Sequence, residues 1–273
     1  MSIRIGALLL VLAAAPVACS RAPMSTTPHV VVTDRFEATD SAGAATAASS
    51  DFDAGRPPTA SALPLIELPG GLVVDREKGE LRMPAVVAIE AGFLEQAVCM
   101  RNTRDHEAVL VVDLLPSRVH AGLMMLGLDP GAPGSWSYEP IPETDRVRVE
   151  RKPPTGALVE ILVRVTDPSG ELRELPIADW IAGVRDGAPF PVVPWVFGGS
   201  RFERFRPDEP EFYLADQSGS LVGLVTFGDE VLGLRAVRSD QVAVDGAEWE
   251  IRTGEAPRPG TVVELVMRSW DDG

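Results

Sequence analysis

The residues of this chain best suited to chemistry are Arg104-Asp105-His106-Glu107, which open the apolar run Ala108 to Val112, and His120, which follows at the start of a helical pattern. If His106 begins a strand and His120 lies in the first turn of the next helix, the two imidazoles can converge beside Glu107 or Asp105. Two histidines and a carboxylate suit zinc, or iron with open positions. The trio His106, Glu107 and His120 would then hold a divalent metal that activates water, with a carboxylate moving the proton. Against this, the spacing lacks the short fixed loops of a specific metal motif, and adjacent His106 and Glu107 point to opposite faces of a regular strand. The competing reading needs no cofactor: both histidines are hydrogen-bonding pieces that pin the connection Leu114-Leu115-Pro116-Ser117. That connection is short, so it predicts a helix packed against the preceding strand with the two rings close together.

A second candidate is the aromatic stretch from Trp195 to Phe205, in which Trp195 and Phe197 would line a groove for a peptide or sugar, or pack as core. Other chemistry finds no support. The chain has no Gly-x-Ser-x-Gly elbow, phosphate-cradling glycine loop, His-Glu-x-x-His or Cys-x-x-Cys. Its 40 acidic residues make accidental carboxylate pairs inevitable, so acid and base roles of the glycosidase kind cannot be assigned.

Address is more legible than reaction. Arg4 precedes an apolar run from Ile5 to Ala18, too short to span a bilayer and suited to the core of an export signal. Ala18-Cys19 resembles the lipobox of bacterial lipoproteins, in which the signal is cut before the cysteine and the new terminal Cys is acylated, although Pro16 stands where that motif prefers Leu. Residues 1–18 are therefore expected to be a signal peptide and Cys19 a lipidation site. The protein is expected to be exported to the periplasm or cell surface, with the membrane as a partner through its N-terminal lipid. An ordinary cleavable signal is the alternative.

Cutting after Ala18 removes one arginine and leaves 40 acidic against 24 basic residues, with lysine only at Lys78 and Lys152. Phosphate binding needs clustered cations, so nucleic acid is excluded as a partner class. An acidic surface is not drawn to anionic lipid head groups either, which leaves acyl chains to provide attachment. With Cys19 lipidated, Cys99 stands alone and no intrachain disulfide can form. Its run, Leu94 to Met100, reads as an irregular strand in which the thiol is inert packing.

These residues need elements to position them. From Cys19 to residue 62 the chain is rich in Ala, Ser, Thr, Pro, Gly and Asp, with too little large apolar surface to offset its ordering entropy. Such a linker of some forty residues has an end-to-end distance of about 35 Å. Residues 63–273 carry short β-branched runs broken by Gly, Pro and Asp, which read as strands and turns. Val73 to Leu81 predicts a hairpin with Gly79 in the left-handed turn position, and Glu211 to Phe227 predicts another. Gly156 to Arg164 and Gly260 to Arg268 match in pattern, through duplication or through similar strand demands. Ser117 caps a predicted helix over Arg118 to Leu128 stopped by Asp129-Pro130-Gly131, and Ile177 to Gly183 adds a turn or two. The expectation is an α+β, β-rich single domain of mostly antiparallel strands with one or two short helices.

The ordered set His106-Glu107, Pro116, His120-Ala121, Leu123, Gly127, Trp195-Val196-Phe197, Gly199-Ser200, Tyr213 to Asp216, Ser218-Gly219 and Phe227-Gly228-Asp229 resembles the YdjY-type domain of bacterial exported proteins, over about Leu65 to Met267. The resemblance implies no established activity. Some members are described as iron–sulfur ferredoxins, and a cluster of that kind normally takes four cysteines, where this chain has two. The reading is a lipid-anchored envelope protein whose domain binds or scaffolds, with an envelope protein or small ligand as partner. The alternative is a metal-dependent enzyme using His106, Glu107 and His120.

Overall fold

Residues 64–271, apart from 141, 144–146, 168 and 242, are described by the computed structural model; the expectations for the signal, Cys19 and the linker lie outside the described residues. The elements that matter for function are β1 (Leu65–Leu68), β2 (Leu72–Asp75), β3 (Glu80–Val87), β4 (Gln96–Met100), β5 (Ala108–Val112), α1 (Pro116–Met125), β6 (Leu158–Thr166), β7 (Leu172–Pro176), β8 (Trp195–Phe197), α2 (Leu214–Ser218), β9 (Ser220–Gly223), β10 (Leu232–Gly233) and β11 (Val262–Ser269).

The domain is β-rich, mostly antiparallel and single, and its sheet closes on itself. Around the ring the order is β3-β11-β6-β8-β10-β9-β4-β5, and β5 returns to β3 through Val86↔Val111 and Val87↔Leu110. Closure removes the long sheet edges that would invite aggregation. Two pairs are parallel, β4 with β5 and β9 with β10. β3 divides one edge between β2 at residues 80–82 and β5 at 86–87, and Pro84 falls in the gap, where a strand tolerates a residue with no N–H. β6 likewise divides an edge between β8 and β7.

Alternation along the ring strands supplies the core. Leu81, Met83, Val98, Leu110, Phe197, Leu221, Leu232, Leu265 and Met267 belong to one buried cluster. α1 joins it through buried Val119, Gly122 and Leu123, and packs on β2. Gly122 allows the close packing there, since a Cβ would stand 2.6 Å from a Leu81 methyl carbon and Leu81 would have to shift.

The matching segments at 156–164 and 260–268 are neighbours in the ladder, with Val159 opposite Ser269 and Arg164 opposite Glu264. Their likeness has a local cause: both meet the same two environments. Val159, Ile161, Val163, Val263, Leu265 and Met267 face the core cluster. Outward, Arg164 holds Glu80 at 2.6 Å, Glu174 at 2.6 Å and Glu264 at 3.1 Å, while Arg268 holds Glu160 at 2.7 Å. Donating these hydrogen bonds, first to Glu80, pushes the Arg164 guanidinium further above its ordinary value.

The β2–β3 hairpin forms as the sequence predicts, with Gly79 at φ 65°. The second predicted hairpin does not. Phe212–Tyr213 pairs instead with Phe202–Glu203, Leu214–Ser218 winds into α2, and Gly219 at φ 78° ends that helical turn. Glycine in the left-handed region terminates helices as readily as it makes hairpin turns, which is why local sequence misassigns it. α1 begins at Pro116, one residue before the predicted cap, and Ile177–Trp180 is a 3₁₀ turn.

Candidate functional site

The loop after β8 is the centre of the best-connected polar site. Gly199 at φ 85° and Ser200 at φ 55° turn the chain sharply, and the absence of a side chain at Gly199 lets the His120 ring approach to 3.0 Å from where a Cβ would be. His120, on the second turn of α1, places Nδ1 3.1 Å from the Gly199 carbonyl and 2.8 Å from the Tyr213 hydroxyl. Tyr213 donates to the same carbonyl at 2.7 Å. A lone pair on Nδ1 would repel the carbonyl oxygen, so the neutral ring carries its proton on Nδ1 and leaves Nε2 as the acceptor. Burial holds the imidazole below its ordinary pKa, against a smaller opposing effect from the Gly199 carbonyl. Burial, with Asp216 nearby, pushes the Tyr213 phenol up. Phe197 and Tyr213 each meet the imidazole in a T-shaped arrangement, with centroids at 4.9 and 5.6 Å.

α2 fixes the other side of this site. Asp216 accepts from the Ser117 backbone at 2.7 Å and its hydroxyl at 2.6 Å, so the N-terminus of α1 is capped by a carboxylate 99 residues away rather than by Ser117. Ser200 donates to the Asp229 carbonyl and accepts from the Ala215 backbone. Arg201 donates to the Gly228 carbonyl at 2.9 Å.

Glu230 completes the assembly from below. Its side chain is buried and accepts the backbone N–H groups of Phe227, Gly228 and Asp229 at 3.2, 2.8 and 3.1 Å. Burial outweighs those donors and pushes the carboxyl up to about 7. The folded state therefore binds this proton more tightly than the unfolded chain. Its stabilising contribution is fully present below pH 4.5 and is lost as pH rises through about 7. The stability advantage of the native protein over Glu230→Gln, which has no such titration, is expected to shrink by on the order of 3 kcal/mol across that window. Denaturant melts of both proteins at pH 5 and pH 8 measure it; parallel behaviour would mean that the carboxylate stays charged on folding.

Residues spread over more than a hundred positions thus form one hydrogen-bonded assembly, and His120, Gly199, Ser200, Tyr213, Asp216 and the 227–229 run within it also belong to the sequence resemblance. A profile of the YdjY domain matches residues 72–268. The chain belongs to the YdjY domain family. No curated protein and no solved structure matches it.

The YdjY domain places the candidate residues in two separate groups. His106 lies in the 3₁₀ turn Asp105–Glu107 just before β5, exposed, with Nε2 3.7 Å from the Glu107 carboxylate. α1 starts beyond the other end of β5, and a five-residue strand is about 16 Å long. His120 makes its ring contacts with Phe197 and Tyr213 and its hydrogen bonds with Gly199 and Tyr213; the His106 and His120 rings make no contact. Glu107 instead meets Glu95, whose carboxyl is pushed up to about 7 by burial and then by repulsion from Glu107. Among the described residues, no group of three His, Cys, Asp or Glu side chains is arranged to hold a metal ion. Trp195 and Phe197 are buried in β8, Trp195 stacked on Phe190 at 5.9 Å. The exposed aromatics of that stretch are Phe202 and Phe205. Cys99, the one cysteine of residues 63–273, is buried in β4 with its thiol pushed up to about 11 by burial, and a single cysteine does not fit an iron–sulfur cluster.

Sequence reasoning about chemistry did not single out Tyr213, Asp216, Glu230 or Glu95. A trace of Asp216 was present: a helix opening with Pro116-Ser117 has no acidic residue in its first turn to meet its N–H groups.

Proposed function

We propose that the protein is a lipid-anchored component of the bacterial envelope, exported to the periplasm or cell surface, whose YdjY domain binds or scaffolds an envelope protein or small ligand rather than catalysing a reaction. The observation that carries this reading is how His120 is used: one edge of its ring ties α1 to the Gly199 carbonyl and to Tyr213, which is a structural task. The same assembly joins α2 and the 227–230 loop, giving a rigid face built from several elements. No described helix is long and apolar enough to cross a membrane, so the proposal assigns attachment to the lipid on Cys19.

A metal-dependent reading draws on one feature. An Nδ1 bound to a backbone carbonyl, with Nε2 free of any partner among the described residues, is the second-shell arrangement that orients metal-bound histidines. Calorimetric titration of zinc into the native protein and into His106→Gln and His120→Gln separates the readings. On the binding reading both variants stay folded: His120→Gln loses on the order of 1 kcal/mol because Gln replaces its hydrogen bonds imperfectly, and exposed His106→Gln loses less. Submicromolar one-site binding by the native protein that disappears in His120→Gln would establish the metal site and overturn the proposal, with His106→Gln as the control for a separate group.

A further inference from the structure

A cleft of about 540 Å³ lies between the strand Ile181–Gly183 with its following loop and the segment 238–249, lined by Arg185, Asp186, Arg238, Asp245, Glu248 and Trp249 among others. It shares no lining residue with the His120 assembly. Its size suits a small ligand. Trp249 is braced from behind: Phe190 packs on its indole with centroids 4.6 Å apart, and Phe190 stacks on Trp195 of β8. The platform is therefore held by the core. The Trp249 indole N–H is buried and has no acceptor among the described residues. A buried donor without a partner is costly, and a site that leaves one is suited to a ligand that supplies the acceptor. Arg185, exposed at the cleft, makes no ion pair or hydrogen bond among the described residues.

The rim extends this aromatic surface. In the hairpin Ser135–Pro140 with Val147–Lys152, Trp136 stacks on Tyr138 with centroids 6.1 Å apart and planes at 18°, and Tyr138 is half exposed. This hairpin is stapled to the cleft. Arg151, directly across from Trp136, binds both oxygens of Asp245 at 2.6 and 3.1 Å. The Trp136 indole donates to the Thr226 carbonyl, and the Thr226 N–H in turn donates to the Arg238 carbonyl.

We propose that this cleft binds a neutral oligosaccharide, one sugar ring lying on Trp249 and the chain continuing towards Trp136 and Tyr138. Aromatic faces offer a rigid apolar surface for the C–H face of a sugar ring, with polar groups at the edge. Hydroxyl groups both donate and accept, as this cleft requires: Asp186 and Glu248 accept, while Arg185 and the Trp249 N–H donate. An anionic ligand is disfavoured. Three carboxylates line the cleft, Arg238 is already paired with Glu248 at 2.5 Å, and the whole chain carries a net charge of −15. A cationic ligand would meet the unpaired guanidinium of Arg185.

Calorimetric titration of the purified protein with cellotetraose, chitotetraose and maltotetraose, and with tetragalacturonate as the anionic comparison, tests the assignment. At least one neutral tetrasaccharide is expected to bind saturably at one site, and the galacturonate not to bind. Arg185→Ala, at an exposed position, and Trp249→Phe, which keeps the packing on Phe190 but removes the N–H, are each expected to weaken binding about tenfold while the thermal midpoint stays near that of the native protein. Absence of binding by all three neutral sugars at millimolar concentration overturns the proposal, as does binding of the galacturonate alone. Unchanged affinity in both variants overturns it equally, because it would put the sugar elsewhere.

Discussion

Replacing Cys19 with Ser, with residues 1–18 exchanged for an export signal that is cut without lipidation, is expected to move nearly all of the protein from the membrane pellet to the soluble fraction. An acyl chain contributes about 0.8 kcal/mol of membrane affinity per buried methylene. The rest of the chain offers little to replace it: the net charge is −15, lysine occurs at two positions, and no described helix can cross a bilayer. The domain itself should be untouched, since its core is built from residues in 72–267. Fractionation at low and high salt, together with a thermal melt of the released protein, checks both halves. Retention in the pellet at high salt would mean that the anchor lies elsewhere, and would also remove the basis for the lipid in the proposed function.

The same contrast between local and distant determinants governs what the sequence could disclose. Gly79 was legible because a left-handed glycine between two short alternating strands acts within four residues. The strand character of Leu158–Thr166 and Val262–Ser269 was legible because alternation with period two is a local property. Their adjacency was not, and neither was closure of the ring. Val86 pairs with Val111 through a contact that nothing near either residue specifies. Asp216 shows the same limit at the site, since its role as a cap depends on where α2 docks rather than on its own neighbours.

The two histidines mark where geometry departs from connection length. The short link after Val112 brings α1 onto β2 and α2 instead of chiefly onto β5, the strand it follows. Proximity of His106 does not follow, because His106 precedes β5 while the link leaves from its far end. The aromatic cleft was hidden for a different reason. Trp249 follows Glu248 in a stretch without regular periodicity, and only the fold brings Arg185 to face it.

Gly156→Ala is expected to cause the largest loss of stability of any single substitution considered, on the order of 4 kcal/mol, which for a domain of this size is a fall of about 10 °C in the thermal midpoint. Gly156 has φ 136°, a conformation that residues with a side chain rarely adopt, and a Cβ there would stand 2.0 Å from the Phe197 carbonyl oxygen and 2.8 Å from the Gly131 nitrogen. Those atoms are backbone, so no rotamer change relieves the clash. Nor can the neighbouring chain retreat freely, because Phe197 donates to the Ala157 carbonyl at 2.8 Å and pairs with Leu232 in the ring. Any shift of Phe197 is passed to Gly199 two residues later, and so to His120 and Tyr213. Gly79→Ala provides the control. Gly79 also has positive φ but nothing lies within 4 Å of a Cβ, so its replacement should cost only the backbone preference, about 1 kcal/mol. The difference between the two melts then measures the close approach together with the added backbone strain at φ 136°. A Gly156→Ala midpoint within a degree or two of the Gly79→Ala value would show that the 155–157 and 197–199 segments separate easily. The loop that carries the His120 assembly would then be far less rigid than its contacts imply.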